Sequence, residues 1–227
     1  MGDYLDIVYC LEEYTNSDSV DAFLRHCFDD LDCSRSGPDG EGSDLFSYSS
    51  LETDWERVSG DDVDIEEAIS SITSSERGTV WLWYDDLNVG IHINRPNHDR
   101  PDIPSLSLSI NEWYTKPWWD NQPSLIYEFV LELYDYLSPV YVYGNTYLDE
   151  SSLTRQGITN GQLEDLFWVN GFGPEMAQQI GRDHLLEAPA WRVDDCDDGG
   201  VFLWVSPLPY SESRNENMTE LQSYFDL

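Results

Sequence analysis

Four aspartates, Asp194, Asp195, Asp197 and Asp198, crowd one short segment, and oxygen-rich loops of that kind hold calcium or magnesium. The spacing does not follow through. An EF-hand loop ends on a bidentate glutamate at its twelfth position, and counting from Asp194 that position is Val205. A solvated hairpin tip is expected instead. The histidines His26, His92, His98 and His184 could act as general bases only beside an activated Ser or Cys and an orienting carboxylate. No GxSxG or HExxH motif frames any of them; His26 and His184 fall in helical patterns and His92 on the polar side of a strand, as structural histidines do. GFGPEM at 171–176 has two glycines and then a proline, and matches neither a P-loop nor a dinucleotide fingerprint. No catalytic, cofactor or metal set emerges, so the chain is not expected to be an enzyme or to need a cofactor.

The segment best suited to contact chemistry is NEWYTKPWWDN at 111–121, which gathers three tryptophans, a tyrosine and the single lysine of the chain. Trp and Tyr bury large areas at small entropy cost and dominate binding hot spots. Trp113, Tyr114, Lys116, Trp118 and Trp119 are therefore the expected partner-binding residues. Aromatics beside a helix also close cores, and a packing role for the same residues stays open.

Charge narrows the classes further. The chain carries 45 acidic residues against 11 basic ones, a formal net charge of −34. Self-repulsion on that scale destabilises a compact state in dilute buffer, whereas molar salt shortens the Debye length to about 3 Å. A salt-accumulating halophile, an archaeon, is the expected source. An acidic nucleic-acid mimic would concentrate acid on one face, but Asp and Glu occur in almost every segment. Arginines are scattered and form no basic patch, which argues against nucleic-acid binding. With 40% hydrophobic and 14% aromatic residues the chain has the material for a core that disordered acidic chains lack. MGDYLDIVYCLEEYT shows no basic leader region and no long apolar run follows, so neither secretion nor membrane spanning is expected and the cytoplasm is the expected location. Cys10, Cys27, Cys33 and Cys196 have no CxxC spacing and read as small buried residues rather than a disulfide framework or zinc site.

Elements follow from periodicity. Residues 4–11 alternate as a strand; Val20, Phe23, Leu24, Cys27, Phe28 and Leu31 recur as one helical stripe behind the Asn16–Ser19 cap cluster. A helix is expected over 61–74. Strands are expected at 79–84, 89–94 and 105–110, with a turn around Asp85–Asn88 between the first two and a strict serine alternation in the third. A helix from Pro123 should stop at Ser138–Pro139, with a strand at 140–144 after it. Residues 151–167 are helix-compatible but interrupted by Gly157 and Gly161; 174–187 reads as one helix, 190–193 with 201–205 as a hairpin around DDCDDGG, and 218–225 as a last helix. Strands and helices mix without a βαβ repeat, so the fold class is α+β, an antiparallel sheet with helices packed on one face. One domain spanning 1–227 is expected, with 1–118 and 119–227 as possible sub-halves.

The stretches PSLIYEFVLELYDYLSPVYVYGN and LFWVNGFGPEMAQQIGRDHLLEAPAWRVDDCDDGGVFLWVSPLP resemble the C-terminal part of immunity proteins of polymorphic-toxin and type VI secretion systems. The shared elements are Trp168 to Asn170, Gly181 at a helix end, Ala188 to Trp191 leading into a strand, and Gly199 to Pro207. These motifs shape the fold and carry no catalysis. The resemblance implies an α+β protein that neutralises a cognate toxin by binding it. An uncharacterised halophilic enzyme and a structural or viral assembly protein stay open as alternatives, as does the oligomeric state.

Overall fold

Leu5, Ile7 and Tyr9 alternate with Asp6, Val8 and Cys10, and in the computed structural model they form the strand that this period requires, β1 (Tyr4–Cys10). The structure describes residues 4–37, 46–50, 52–59, 63–94, 103–111, 123–146 and 153–227. After β1 come α1 (Ser17–Asp29), β2 (Ser47–Ser50), β3 (Val58–Ser59), α2 (Ile65–Ser75), β4 (Gly78–Tyr84), β5 (Leu87–Ile93), β6 (Ser105–Asn111) and α3 (Pro123–Leu137). The chain continues through β7 (Tyr141–Asn145), α4 (Arg155–Thr159), β8 (Val169–Phe172), α5 (Pro174–Ile180), α6 (Arg182–Leu186), β9 (Arg192–Asp195), β10 (Val201–Trp204) and α7 (Arg214–Tyr224). The fold is α+β with antiparallel strand pairing, as expected.

Local chemistry explains the helix ends. Asn16 Oδ1 accepts from Ser19 N–H at 3.0 Å while Ser19 Oγ accepts from Asn16 N–H at 2.9 Å, a reciprocal capping box that starts α1. Asp64 caps α2 by accepting from Glu66 N–H at 3.2 Å. α3 stops where Ser138 turns left-handed, φ 46°, ahead of Pro139. The helix expected over 174–187 is two helices, α5 and α6, because Gly181 sits between them at φ 109°, outside helical space. The turn expected around Asp85–Asn88 is tighter: Asp85, φ 48°, and Asp86 alone join β4 to β5.

The residues cluster into two compact units. The first holds β2 to β6 with α1, α2, Tyr4 and the opening turns of α3; its strands run in the order β3-β2-β4-β5-β6. One face of this sheet is apolar, with Val80 and Leu82 on β4, Val89, Ile91 and Ile93 on β5, and Leu106, Leu108 and Ile110 on β6, all almost fully buried. The helices belong to that face. Tyr48 donates to Glu67 at 3.1 Å, Ser50 and Ser71 share a hydrogen bond of 2.7 Å, and Tyr84 stacks on Phe129 at 4.3 Å. α1 is tied to α2 through Arg25, whose Nη1 and Nη2 donate to the two carboxylate oxygens of Glu66, each at 3.1 Å.

The second unit holds the rest of β1, the last turns of α3, β7 to β10 and α4 to α7, with strands in the order β1-β7-β8-β10-β9. Here helices cover both faces. Tyr134 of α3 meets Phe202 edge-on at 5.0 Å on one side, and Tyr9 donates to Val130 O at 3.1 Å. On the other side Tyr141, Tyr143, Phe172, Val201 and Leu203 join Ile158, Met176, Leu185 and Leu221 in one core. The Trp-Xaa-Asn segment is structural within it. Asn170 is fully buried and spends its amide on Tyr141 OH, Phe167 N–H and Phe167 O, while Trp168 Nε1 donates to Ser206 O at 2.9 Å.

Candidate partner-binding face

The expected binding residues Trp113, Tyr114, Lys116, Trp118 and Trp119 lie outside the described residues, as does His98. The described residues hold a different aromatic cluster, on the second face of the first unit's sheet, opposite the helices. Ser47, Thr79, Trp83, Asn88 and His92 of that face are buried; its accessible aromatics are Tyr4 and half-buried Trp81, and the serines that β6 adds to the face are half-buried.

On β6, Ser105, Ser107, Ser109 and Asn111 alternate with the buried apolar residues and are half-buried. Pairing registers place Thr79 opposite His92, His92 opposite Ser107, Trp81 opposite Gly90, and Gly90 opposite Ser109, so these side chains share the serine face. Trp81 is half-buried and its indole lies flat over Gly90. A Cβ at position 90 would stand 2.8 Å from Trp81 Cζ2, closer than side chains approach, so only glycine allows this packing. Tyr4, 37% exposed, meets Trp81 at 5.7 Å, and the His92 ring meets it edge-on at 6.1 Å. These are distances at which aromatic rings attract one another.

His92 is buried and held at both nitrogens, with Nδ1 at 2.9 Å from Thr79 Oγ1 and Nε2 at 2.9 Å from Ser109 Oγ. The Ser109 distance is that of a nucleophile and base, but the group on Nδ1 is a hydroxyl, which cannot offset an imidazolium charge as a carboxylate does. The relay fixes the ring and, through it, the edge on which Trp81 rests. Its chemistry is positioning.

A second aromatic stands on a strained turn. Asp54 and Trp55 are both left-handed, φ 51° and 64°, and Trp55 is 40% exposed. A bulky residue in that region costs about 1–2 kcal/mol. The turn is over-determined by hydrogen bonds: Ser50 O accepts from Thr53 N–H at 3.2 Å and Trp55 N–H at 2.9 Å, and Thr53 Oγ1 accepts from Ser50 N–H at 3.0 Å. Sequence reasoning missed both tryptophans, because the WLW of β4 reads as a strand and the TDWE turn carries no glycine.

The acidic hairpin is solvated, as expected: Asp195, Asp197 and Asp198 are exposed, and hydrogen bonds tie it to its surroundings. Asp194 accepts from Arg192 Nε at 2.9 Å and from Trp204 Nε1 at 2.7 Å; Asp195 pairs with Arg182; Asp198 accepts from Tyr134 OH at 2.9 Å and Gly200 N–H at 2.8 Å. Burial, with Asp198 and further carboxylates around it, pushes the Cys196 thiol up to about 12, far from a nucleophilic thiolate. Among the described residues no group of three or more His, Cys, Asp and Glu side chains could hold a metal ion. His26 sits 2.8 Å from Asp30, and His184 stacks on Tyr224 at 4.4 Å. Among the described residues, no helix is long and apolar enough to cross a membrane.

No protein-family model matches the chain, and no curated protein matches it in sequence. Among solved structures it is similar to the Pseudomonas aeruginosa T6SS protein PA0821, with a TM-score of 0.58 and 11% identity over 100% of this chain and 73% of that one. At that identity the likeness is one of fold.

Proposed function

We propose that this chain is an immunity protein that neutralises a cognate toxin of a T6SS-type or related system by binding it, without catalysis or cofactor, in the cytoplasm of a salt-accumulating archaeon. The observation that carries the reading is the serine face of the first unit, where Trp81 lies on Gly90 between Tyr4 and a hydrogen-bonded histidine. A half-buried indole held in place by its neighbours, on a face shared with the half-buried serines of β6, has the anatomy of a hot spot, an aromatic anchor with polar groups near it. The fold shared with a protein whose name places it in the T6SS supports the setting. A net charge of −34 matches a basic partner in low salt; in molar salt steering is screened and affinity rests on the anchors.

The test is calorimetric titration with the toxin-domain protein encoded beside this chain, in KCl buffer. Trp81→Ala should weaken binding by about 2 kcal/mol, roughly thirtyfold, with an unchanged circular-dichroism spectrum. Unchanged affinity would remove the serine face from the reading. A melting temperature that stays flat between about 0.2 M and 2 M KCl would remove the halophile part.

A further inference from the structure

Cys27 and Cys33 match no spacing motif, yet the fold sets them side by side. Cys27 closes the buried stripe of α1 and is fully buried; Cys33 is 5% exposed. The chain leaves the helix through the left-handed Asp32, φ 53°, and turns back, so that Cys33 N–H donates to Cys27 O at 3.0 Å. The Cys33 side chain, followed by burial, holds the Cys27 proton well above the ordinary thiol range. Cys10 and Cys196, the other free thiols, belong to the second unit.

We propose that Cys27 and Cys33 are a redox-active thiol pair that low-molecular-weight disulfides oxidise to an internal disulfide. A backbone hydrogen bond of 3.0 Å between the two residues draws their main chains together, and a disulfide bridges Cα atoms about 4.4–6.8 Å apart. Cys33, the less completely buried residue of the two, loses its proton to solvent and attacks the small disulfide, forming a mixed disulfide and releasing one thiolate. The Cys27 sulfur, as its proton leaves, displaces the second thiolate. Two protein thiols are oxidised and one small disulfide is reduced to two thiols, so electrons and protons balance. The neighbouring residue gives the bond a mechanical consequence. Ser34 pairs with Trp83 through N–H···O contacts of 2.7 and 2.8 Å in the two directions, so the disulfide clamps the end of α1 to the end of β4. The inference is independent of the binding reading.

Arg25 and Arg35 flank the pair, so one tryptic peptide, His26–Arg35, carries both sulfurs. Native protein is equilibrated with mixtures of oxidised and reduced glutathione, quenched with an alkylating agent and digested. The expected result is a His26–Arg35 peptide that is two hydrogens lighter and unalkylated, formed at a more reducing mixture than in the urea-unfolded chain, with Cys10 and Cys196 still alkylated. The oxidised protein should melt roughly 5 °C higher, a rise absent in Cys33→Ser. If that variant does not fold, the wild-type peptide still decides. A native peptide that stays doubly alkylated, carries glutathione on Cys33 alone, links to Cys10 or Cys196, or oxidises no more readily than the unfolded chain overturns the proposal.

Discussion

Trp81 over Gly90 in the first unit and Phe202 over Gly171 in the second are the same device in two settings. In each, an aromatic ring covers a glycine directly opposite it on a neighbouring antiparallel strand, and a Cβ on that glycine would fall on the ring. The surroundings differ. Phe202 is fully buried between Tyr134, edge-on at 5.0 Å, and Trp204 at 5.9 Å, whereas Trp81 is half-buried, and the serines that share its face two strands away on β6 are half-buried as well. A ring with neighbours on every side contributes to stability; a ring with one side accessible can contribute to binding. The contrast teaches where to look for function in a chain with no catalytic motif.

The largest effect should come from the closed side. Phe202→Ala should cost about 3–5 kcal/mol in urea unfolding, because it opens a cavity in a core that cannot collapse onto it. Gly171→Ala should cost about 1–3 kcal/mol, since Phe202 has nowhere to move. Gly90→Ala sharpens the comparison: Trp81 can lift toward solvent, so stability should fall by less than about 1 kcal/mol while partner affinity drops with the displaced anchor. Equal losses of stability in the two glycine variants would break it.

Trp55→Gly should raise stability by about 0.5–1 kcal/mol by removing left-handed strain, yet weaken binding if the strain is kept for an exposed anchor. Asp135 gives the smallest effect. Its carboxyl is pushed up by burial first, then by Asp198 and Asp197. The native state therefore holds this proton more tightly than the unfolded chain, and the group's contribution is lost as pH rises through the raised value. Asp135→Asn should stabilise by no more than about 0.5 kcal/mol at pH 7, with the gain vanishing near the ordinary aspartate value of about 3.9. Urea midpoints at the two pH values measure it.

Much of this architecture was legible in the residues. Alternation at 105–110 marked one buried and one accessible face, and the Pro123 start and Ser138–Pro139 stop of α3 were readable because capping and proline sterics are local. The site was not, for a register reason. Placing the turn around Asp85–Asn88 keeps each side chain on its face but slides the strands past one another, so Trp81 no longer stands opposite Gly90. The observed link is Asp85–Asp86, with Asp85 left-handed and no glycine to announce it. β2, β3 and β8 are only 4, 2 and 4 residues long, too short for a period to register. Gly181 was visible as a helix end only through the family resemblance, since the apolar stripe at 174–187 runs through it.

Hydroxyl-radical footprinting of the chain alone and with its toxin-domain partner tests the central claim most directly, because it reads aromatic side chains in both units at once. Trp81 and Tyr4 should lose reactivity in the complex while the exposed Trp191 and Tyr210 of the second unit keep theirs. Protection of Trp191 and Tyr210 with Trp81 and Tyr4 unchanged would contradict it.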